Sequence, residues 1–345
     1  MESPLLKSRS AWRSQTAMTF GHLILAIACV CWLFAPNARA SETDRDFAVW
    51  LENLRVEARS SGISPKVLDE ALADVKEPLP RVIDLDRKQP EFTQTLEDYV
   101  NARVSKKRIA NGRRMMSRHP TWLSRVERKY GVPRRFIVAL WGIETNYGEN
   151  TGGFPVIQSL VTLAYDGRRS TYFRKELLDA LHILDASHIG LKEMKGSWAG
   201  AMGQCQFMPS SFRHFAADAD GDGRIDIWTS VPDVLASAAN YLQQVGWQKN
   251  QTWGRPVKLP AKFDLALVGL KTKLPLSRWQ SLGVRRTNGR SLPRRDLAAS
   301  LILPDGPDGS AYLVYDNFHA LLAWNKSNAF AVAVGTLADR LNARQ

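Results

Sequence analysis

The sequence predicts a mainly α-helical protein with a small β part (α+β), and two observations support this prediction. Apolar residues recur every three or four positions through most of residues 44–254, which is the spacing of amphipathic helices. Between residues 255 and 315, proline and glycine become frequent and apolar runs shorten, as in a small antiparallel sheet. Beyond residue 40 the sequence holds one cysteine, Cys205, so a packed core rather than an intrachain disulfide must supply the stability.

The first 40 residues have the pattern of a cleaved export signal. Three basic residues precede an apolar run at 23–35, and Ala38-Arg39-Ala40 is a small-residue cleavage site. The run is shorter than the roughly 20 residues of a transmembrane helix. We therefore expect a periplasmic protein cleaved after Ala40, with at most peripheral membrane contact. Lipid attachment at Cys29 is the less favoured alternative, because leucine is absent from its usual place before that cysteine.

The chain is strongly basic, which bears on its partners. Its formal net charge is +13, and removal of residues 1–40 lowers this to +10 in the remaining 305 residues. Such a charge favours polyanionic partners, and outside the cytoplasm these are cell-wall polymers and anionic lipid rather than nucleic acid. A chain of this length can bury a sizeable core, with more than one lobe.

Residues 41–117 are expected to form an N-terminal helical lobe. Phe47, Trp50, Leu51 and Leu54 make one helical stripe, and Ser64-Pro65 begins a second helix. From residue 92 to about 116 the sequence is basic and helical in pattern, and it carries Tyr99.

The next helix places a carboxylate on an apolar face. Phe136, Ile137, Leu140, Trp141 and Glu144 recur at helical spacing, after a start near Pro133 and before a stop at Gly148. A carboxyl in apolar surroundings keeps its proton to higher pH, as a general acid needs. The alternative is a glutamate merely exposed at a helix end or paired with an arginine.

This helix lies within a core expected at residues 118–254, which is followed by a small β subdomain at 255–315 and a C-terminal helix at 316–345. Further helices are predicted at 172–184 and 230–245. The apolar triplet 301–303 and residues 312–315 flank a Pro/Gly/Asp-rich turn, which predicts a hairpin.

The segment 218–226 is acidic and has the spacing of the first nine positions of an EF-hand loop. Its carboxylates and the backbone carbonyl of Arg224 predict a structural Ca²⁺ site. Thr229 replaces the usual last glutamate, so Asp233 is a candidate ligand, although Ser230 and Asp233 also fit a helix-capping box. The predicted ligands are Asp218, Asp220, Asp222, Arg224, Asp226 and Asp233.

Between Glu144 and this loop, residues 196–210 combine small residues, aromatic surface and neutral hydrogen-bonding groups. This mixture suits a sugar chain, although close helix packing is an alternative. A cysteine-nucleophile role for Cys205 is disfavoured, because the sequence implies no accompanying His and Asn or Asp.

The sequence resembles the membrane-bound type B class of lytic murein transglycosylases, whose catalytic core is related to goose-type lysozymes. The matching segments, in the family's order, are 142–148, 196–211, 218–228, 239–241 and 324–325. The resemblance implies a lysozyme-like helical core that cleaves the MurNAc–GlcNAc β-1,4 bond of peptidoglycan without water, leaving 1,6-anhydro-MurNAc ends. It also implies glycan strands as the partner. Wall-synthesis proteins are further candidate partners, and we expect a monomer.

By this resemblance Glu144 is the single acid and then base. The implied substrate-binding residues are Tyr99, Ser197, Gln206, Phe207, Tyr241 and Asn325. The sequence departs from the family pattern at Trp324 and Phe330, where tyrosines are expected. Two rival functions stay open: a muramidase that admits water to the same cleft, and a non-catalytic wall-binding protein.

Overall fold

The computed structural model of the protein describes residues 38–88 and 94–343. Residues 1–37, with most of the predicted export signal and Cys29, lie outside this part. The core, the sheet and the candidate site all belong to the compact unit of residues 44–345. Within the described residues, none of the helices combines the length and apolar character that a membrane crossing requires.

Helices account for most of the described chain. In order they are α1 Ala38–Ser60, α2 Pro65–Leu72, α3 Pro80–Arg87, α4 Leu96–Arg103, α5 Lys106–Arg118, α6 Pro120–Tyr130, α7 Arg134–Thr145, α8 Val156–Tyr165, α9 Ser170–Asp185, α10 Pro209–Phe215, α11 Val231–Gln244, α12 Leu276–Ser281, α13 Asp316–Trp324 and α14 Asn328–Asn342.

Strands occupy two places. They are β1 Phe154–Pro155, β2 Lys195–Gly196, β3 Gly254–Lys258, β4 Gly269–Pro275, β5 Arg285–Arg286, β6 Ala298–Ile302 and β7 Ala311–Val314. The last five form one antiparallel sheet in the order β4-β6-β7-β3-β5. The predicted hairpin is its β6–β7 pair, in which Leu301 faces Leu313. Trp279, Leu301, Leu313 and Tyr315 belong to a separate apolar cluster beside this sheet.

The basic segment predicted as helical around residues 92–116 is two helices where it is described. α4 ends at Arg103 and α5 begins at Lys106. Ser105 lies in extended conformation between them, and its Oγ accepts a hydrogen bond of 3.2 Å from Arg108 N. A serine in this position caps a new helix. The C-terminal helical segment is similarly split into α13 and α14, where Ser327 caps the second helix.

Helix α7 lies at the centre of the helical core. Phe136, Ile137 and Leu140 are fully buried, and the helix packs against α5, α6, α11 and α14. Burial on nearly all sides fits its apolar sequence. The protein is thus a mainly helical structure with a small antiparallel sheet, as predicted. The domain boundaries given above stay predictions.

Candidate active site

The end of α7 positions Glu144. The helix stops after Thr145, earlier than the predicted stop at Gly148, because Asn146 and Tyr147 have left-handed φ values of 51° and 63°. Tyr147 turns back and donates a hydrogen bond of 2.8 Å to Arg108 O in α5. A Cβ atom on Gly142 would lie 2.6 Å from the Tyr147 ring. The absence of a side chain at Gly142 therefore allows this ring to lock the end of the helix.

The carboxyl of Glu144 faces the end of α13. Trp324 Nε1 donates a hydrogen bond of 2.6 Å to Glu144 Oε1. The glutamate is only partly exposed, and this desolvation raises its pKa to about 7, although the Trp324 hydrogen bond and the charge of Arg103 oppose the rise. Among the described residues it forms no ion pair. Glu144 is therefore neither a freely exposed nor an arginine-paired carboxylate.

Aromatic rings hold Trp324 in place. The ring centroids of Tyr241 and Phe207 lie 4.8 Å and 5.2 Å from that of Trp324. The Tyr241 hydroxyl donates a hydrogen bond of 2.7 Å to Ala323 O. Phe207 and Tyr241 are both buried. The structure therefore places these two predicted substrate-binding residues behind Trp324, where they support it.

Ser197 and Gln206 lie in the small-residue segment that β2 begins. Ser197 Oγ accepts a hydrogen bond of 3.0 Å from Ala201 N, which leaves its hydroxyl hydrogen for another partner. Gln206 has a left-handed φ of 50°, and its Nε2 donates to Thr151 O at 3.0 Å and to Gly203 O at 2.9 Å. Both amide hydrogens are thereby used, so the carboxamide oxygen is the group that can face a ligand.

Tyr99 and Asn325 line one cavity of about 550 Å³, between the start of α4 and the α13–α14 junction. The guanidinium carbon of Arg103 lies 5.2 Å from the centroid of the Tyr99 ring. Burial raises the pKa of Tyr99, and the charges of Arg103 and Glu144 act on it in opposite directions. The cavity therefore brings Tyr99 and Asn325 together, and its lining also includes the charged residues Asp305 and Lys326.

The acidic loop brings three of its predicted ligands together. One oxygen each from Asp218, Asp220 and Asp222 lies within 4.8 Å of the others. Backbone N–H groups of Gly221 and Gly223 bond the Asp218 carboxylate at 2.7 Å and 3.0 Å, and they hold its pKa below the ordinary value. Three converging oxygen donors on an exposed loop fit a hard cation such as Ca²⁺.

The other two acidic residues predicted as ligands accept hydrogen bonds from backbone N–H groups. Asp226 accepts hydrogen bonds of 2.8 Å from Trp228 N and Thr229 N. Asp233 is buried, and its two oxygens accept hydrogen bonds of 2.8 Å from Ala219 N and Asp226 N. Its backbone N–H is also capped by Ser230 Oγ at 3.4 Å. Asp233 thus ties the two ends of the loop to α11, and ligation by it stays a prediction.

Cys205 is a buried free thiol. Burial raises its pKa, and the nearby charges of Glu144 and Asp233 act in the same direction. Because the thiolate is the nucleophilic form, this environment opposes a catalytic role.

Two structural relationships at this site were not predicted. Gln204 joins the Glu144 helix to the acidic loop, and Trp324 contacts Glu144 from 180 residues away in the sequence. Gln204 lies in the segment 196–210 that the sequence marked for its neutral hydrogen-bonding groups, and Trp324 was identified as a departure from the family pattern. No local spacing indicated their partners, because both contacts depend on how distant segments pack.

Residues 46–339 match the family described as Transglycosylase SLT domain. The chain is 34% identical over 232 residues to membrane-bound lytic murein transglycosylase B of Escherichia coli (strain K12), an alignment that covers 66% of this chain and 62% of that protein. The match therefore spans less than two thirds of that relative's length.

Solved structures of similar proteins extend the comparison. SltB3 from Pseudomonas aeruginosa, in complex with NAG-anhNAM-pentapeptide, has a TM-score of 0.82 and 45% identity, covering 85% of this chain and 78% of that one. The Escherichia coli lytic transglycosylase SLT35, in complex with calcium, has a TM-score of 0.71 and 29% identity, covering 90% and 94%. The chain therefore belongs to the transglycosylase SLT domain family, a family of lytic transglycosylases.

Proposed function

We propose that this protein is a peptidoglycan lytic transglycosylase in which Glu144 is the sole acid and base. One observation carries the proposal: a partly buried carboxyl with a pKa of about 7 at the end of a rigid core helix. A general acid is most effective when its pKa lies near the working pH. The substrate bond is the MurNAc–GlcNAc β-1,4 linkage, and the product carries a 1,6-anhydro-MurNAc end.

The charges around Glu144 support a mechanism with one carboxylate. Most glycosidases place a second carboxyl about 5–9.5 Å from the first. Within the described residues, the charge that acts on the pKa of Glu144 is the cation of Arg103. The acidic loop has its own arrangement around Asp218, Asp220 and Asp222. The second catalytic group is therefore expected to come from the substrate.

In the first step, protonated Glu144 gives its proton to the glycosidic oxygen as the C1–O bond breaks. The leaving GlcNAc takes that proton as a new hydroxyl, and the MurNAc acetamido oxygen stabilises the positive charge that develops at C1. In the second step the C6 hydroxyl oxygen attacks C1, and its proton returns to the Glu144 carboxylate. No water is consumed, because a group of the same sugar outcompetes it through high effective concentration.

The surrounding residues suit this substrate. Ser197, Gln206 and Asn325 offer neutral hydrogen-bonding groups, and Tyr99 offers a ring in the cavity it shares with Asn325. The complex of SltB3 with NAG-anhNAM-pentapeptide supports peptidoglycan as the ligand class. The net charge of +10 that remains without residues 1–40 would attract an anionic wall polymer. We place the protein in the periplasm, in line with the export signal predicted from the sequence.

Calcium is proposed as a structural ion. Asp218, Asp220 and Asp222 would hold it, with the carbonyl of Arg224 and the carboxylates of Asp226 and Asp233 as further candidate ligands. The bound ion would neutralise the cluster of negative charge in the loop. The SLT35 structure in complex with calcium supports this assignment.

Product analysis on purified sacculi tests the proposal. Wild-type protein is expected to release muropeptides one water lighter than reducing-end products, as seen by mass spectrometry. The Glu144→Gln protein is expected to bind sacculi and release none. Reducing-end products would indicate a muramidase instead, and binding without release by the wild-type protein would indicate a non-catalytic wall-binding function.

A further inference from the structure

We propose that Trp324 is a positioning residue that gives the two oxygens of Glu144 different tasks. Oε1 is held as a hydrogen-bond acceptor throughout the cycle, and Oε2 carries the catalytic proton. The inference rests on the proposed function, because it presupposes that Glu144 acts first as acid and then as base.

The chemistry of the indole group supports this division. An indole N–H donates a hydrogen bond and accepts none, and here it points at Glu144 Oε1 from 2.6 Å. A proton on Oε1 would compete with the indole hydrogen for the same approach, whereas one on Oε2 does not. Within the described part of the chain, Oε2 has no hydrogen-bond partner. Oε2 is therefore the oxygen that both gives the proton to the substrate and takes it back.

The position of the indole is set by neighbours that are themselves buried. Tyr241 and Phe207 pack against it at 4.8 Å and 5.2 Å between ring centroids. Tyr241 also anchors the preceding residue through its hydrogen bond to Ala323 O. With two rings and the backbone held in this way, the donor stays fixed while the charge on Glu144 changes. A donor that needs no rearrangement is effective in stabilising developing charge.

The electrostatic partners of Glu144 come from two segments. Arg103 in α4 acts on the pKa of Glu144. The charge of Glu144 acts in turn on the pKa of Tyr99 in α4 and on that of Cys205, between β2 and α10. Arg103 favours the carboxylate as Trp324 does, while desolvation disfavours it. The indole N–H thus stabilises the carboxylate that forms when Glu144 releases its proton. Because that charge develops in the transition state, loss of the donor is expected to lower kcat more than it changes KM.

The test removes the N–H group while keeping an aromatic ring. Trp324→Phe is one variant, and replacement of Trp324 by benzothienylalanine, which has the shape of tryptophan without the N–H, is the second. Trp122→Phe is the matched control, since this ring lies in α6 with the guanidinium carbon of Arg125 4.9 Å from its centroid. The rate of muropeptide release from sacculi is measured as a function of pH, together with the thermal melting of each protein.

Both Trp324 variants are expected to lose about 10- to 100-fold in kcat, with a smaller change in KM. The alkaline limb of the pH profile is expected to move up by about one pH unit, because the lost donor had favoured the ionised form. Trp122→Phe is expected to match the wild type. If the benzothienylalanine protein has the wild-type kcat and an unmoved alkaline limb while Glu144→Gln is inactive, the inference about Trp324 is overturned and the proposed function is kept. Cleavage by Glu144→Gln removes the proposed function as well.

Discussion

Gln204 and Trp141 are joined inside the core by a hydrogen bond of 2.8 Å between Gln204 Oε1 and Trp141 Nε1. The same carboxamide donates through Nε2 to Trp228 O at 2.8 Å. The backbone oxygen of Gln204 accepts a hydrogen bond of 3.0 Å from Thr145 Oγ1. Trp141 and Thr145 flank Glu144 on α7, whereas Trp228 follows the acidic loop. One buried side chain therefore connects the catalytic candidate to the proposed calcium loop.

Gln204→Leu is expected to lower the free energy of unfolding by about 2–4 kcal/mol, because a buried N–H and a buried C=O lose their partners. Urea denaturation measures this. Gln243→Leu is the matched control, since Gln243 is exposed on α11, and it is expected to change the stability by less than about 0.5 kcal/mol. Equal stability of the two variants would contradict a bridging role for Gln204.

Gly142→Ala is expected to destabilise the protein by about 1–3 kcal/mol, even though alanine favours helices more than glycine does. The new Cβ would lie 2.6–2.7 Å from the Tyr147 ring, so the ring that locks the end of α7 must move. Gly153→Ala is the control, because its added Cβ would meet no atom within 4 Å. The melting temperatures of the two variants check this, and a Gly142→Ala protein as stable as the control would argue against the lock.

The pH dependence of cleavage follows from the pKa of Glu144. Burial raises this pKa to about 7, and the first step needs the protonated form. We therefore expect kcat/KM on sacculi to fall as the pH rises through about 7. Initial rates of muropeptide release across a pH series measure it. Activity that stays level well above that pH would show that protonated Glu144 is not required.

The same pKa predicts a pH-dependent stability difference between wild type and Glu144→Gln. A carboxyl whose pKa rises from 4.5 to about 7 on folding binds protons better in the folded state. The contribution of this carboxyl to the stability of the fold is therefore complete below about pH 4.5, and it is lost as the pH rises from there to about 7. Glutamine stays neutral, so Glu144→Gln is expected to be more stable than wild type by roughly 1–3 kcal/mol near pH 8, allowing for partial exposure, and about equal near pH 4.

Chemical denaturation at both pH values measures this difference. Glu52→Gln serves as the control for the loss of one carboxylate, since Glu52 is exposed on α1. If Glu144→Gln showed the same stability difference at both pH values, the carboxyl would have an ordinary pKa.

Calcium is expected to raise the melting temperature, and a chelator to lower it, because the ion relieves repulsion among Asp218, Asp220 and Asp222. Asp218→Asn is expected to abolish most of this response. Asp308→Asn, at an exposed position in the β6–β7 turn, is expected to keep it. Identical melting curves with chelator and with calcium would indicate that the loop binds no ion.

Local spacing in the sequence was sufficient for several elements. The stripe of Phe136, Ile137, Leu140 and Trp141 predicted the helix that carries Glu144, and the short apolar runs on either side of a Pro/Gly/Asp-rich turn predicted the β6–β7 hairpin. These predictions held because each depends on neighbours within one or two turns of chain. The break at Ser105 was missed, although serine is a strong N-cap, because the flanking residues continue a helical pattern.

By itself the sequence determined that a carboxylate lies on an apolar helix face and that four more carboxylates follow at EF-hand spacing, since both are properties of local order along the chain. Only the tertiary structure decided that Trp324 donates to Glu144, that Gln204 connects α7 to the acidic loop, and that Phe207 is buried behind the indole. The physical reason is that burial and hydrogen-bond partners depend on which distant surfaces exclude water from one another.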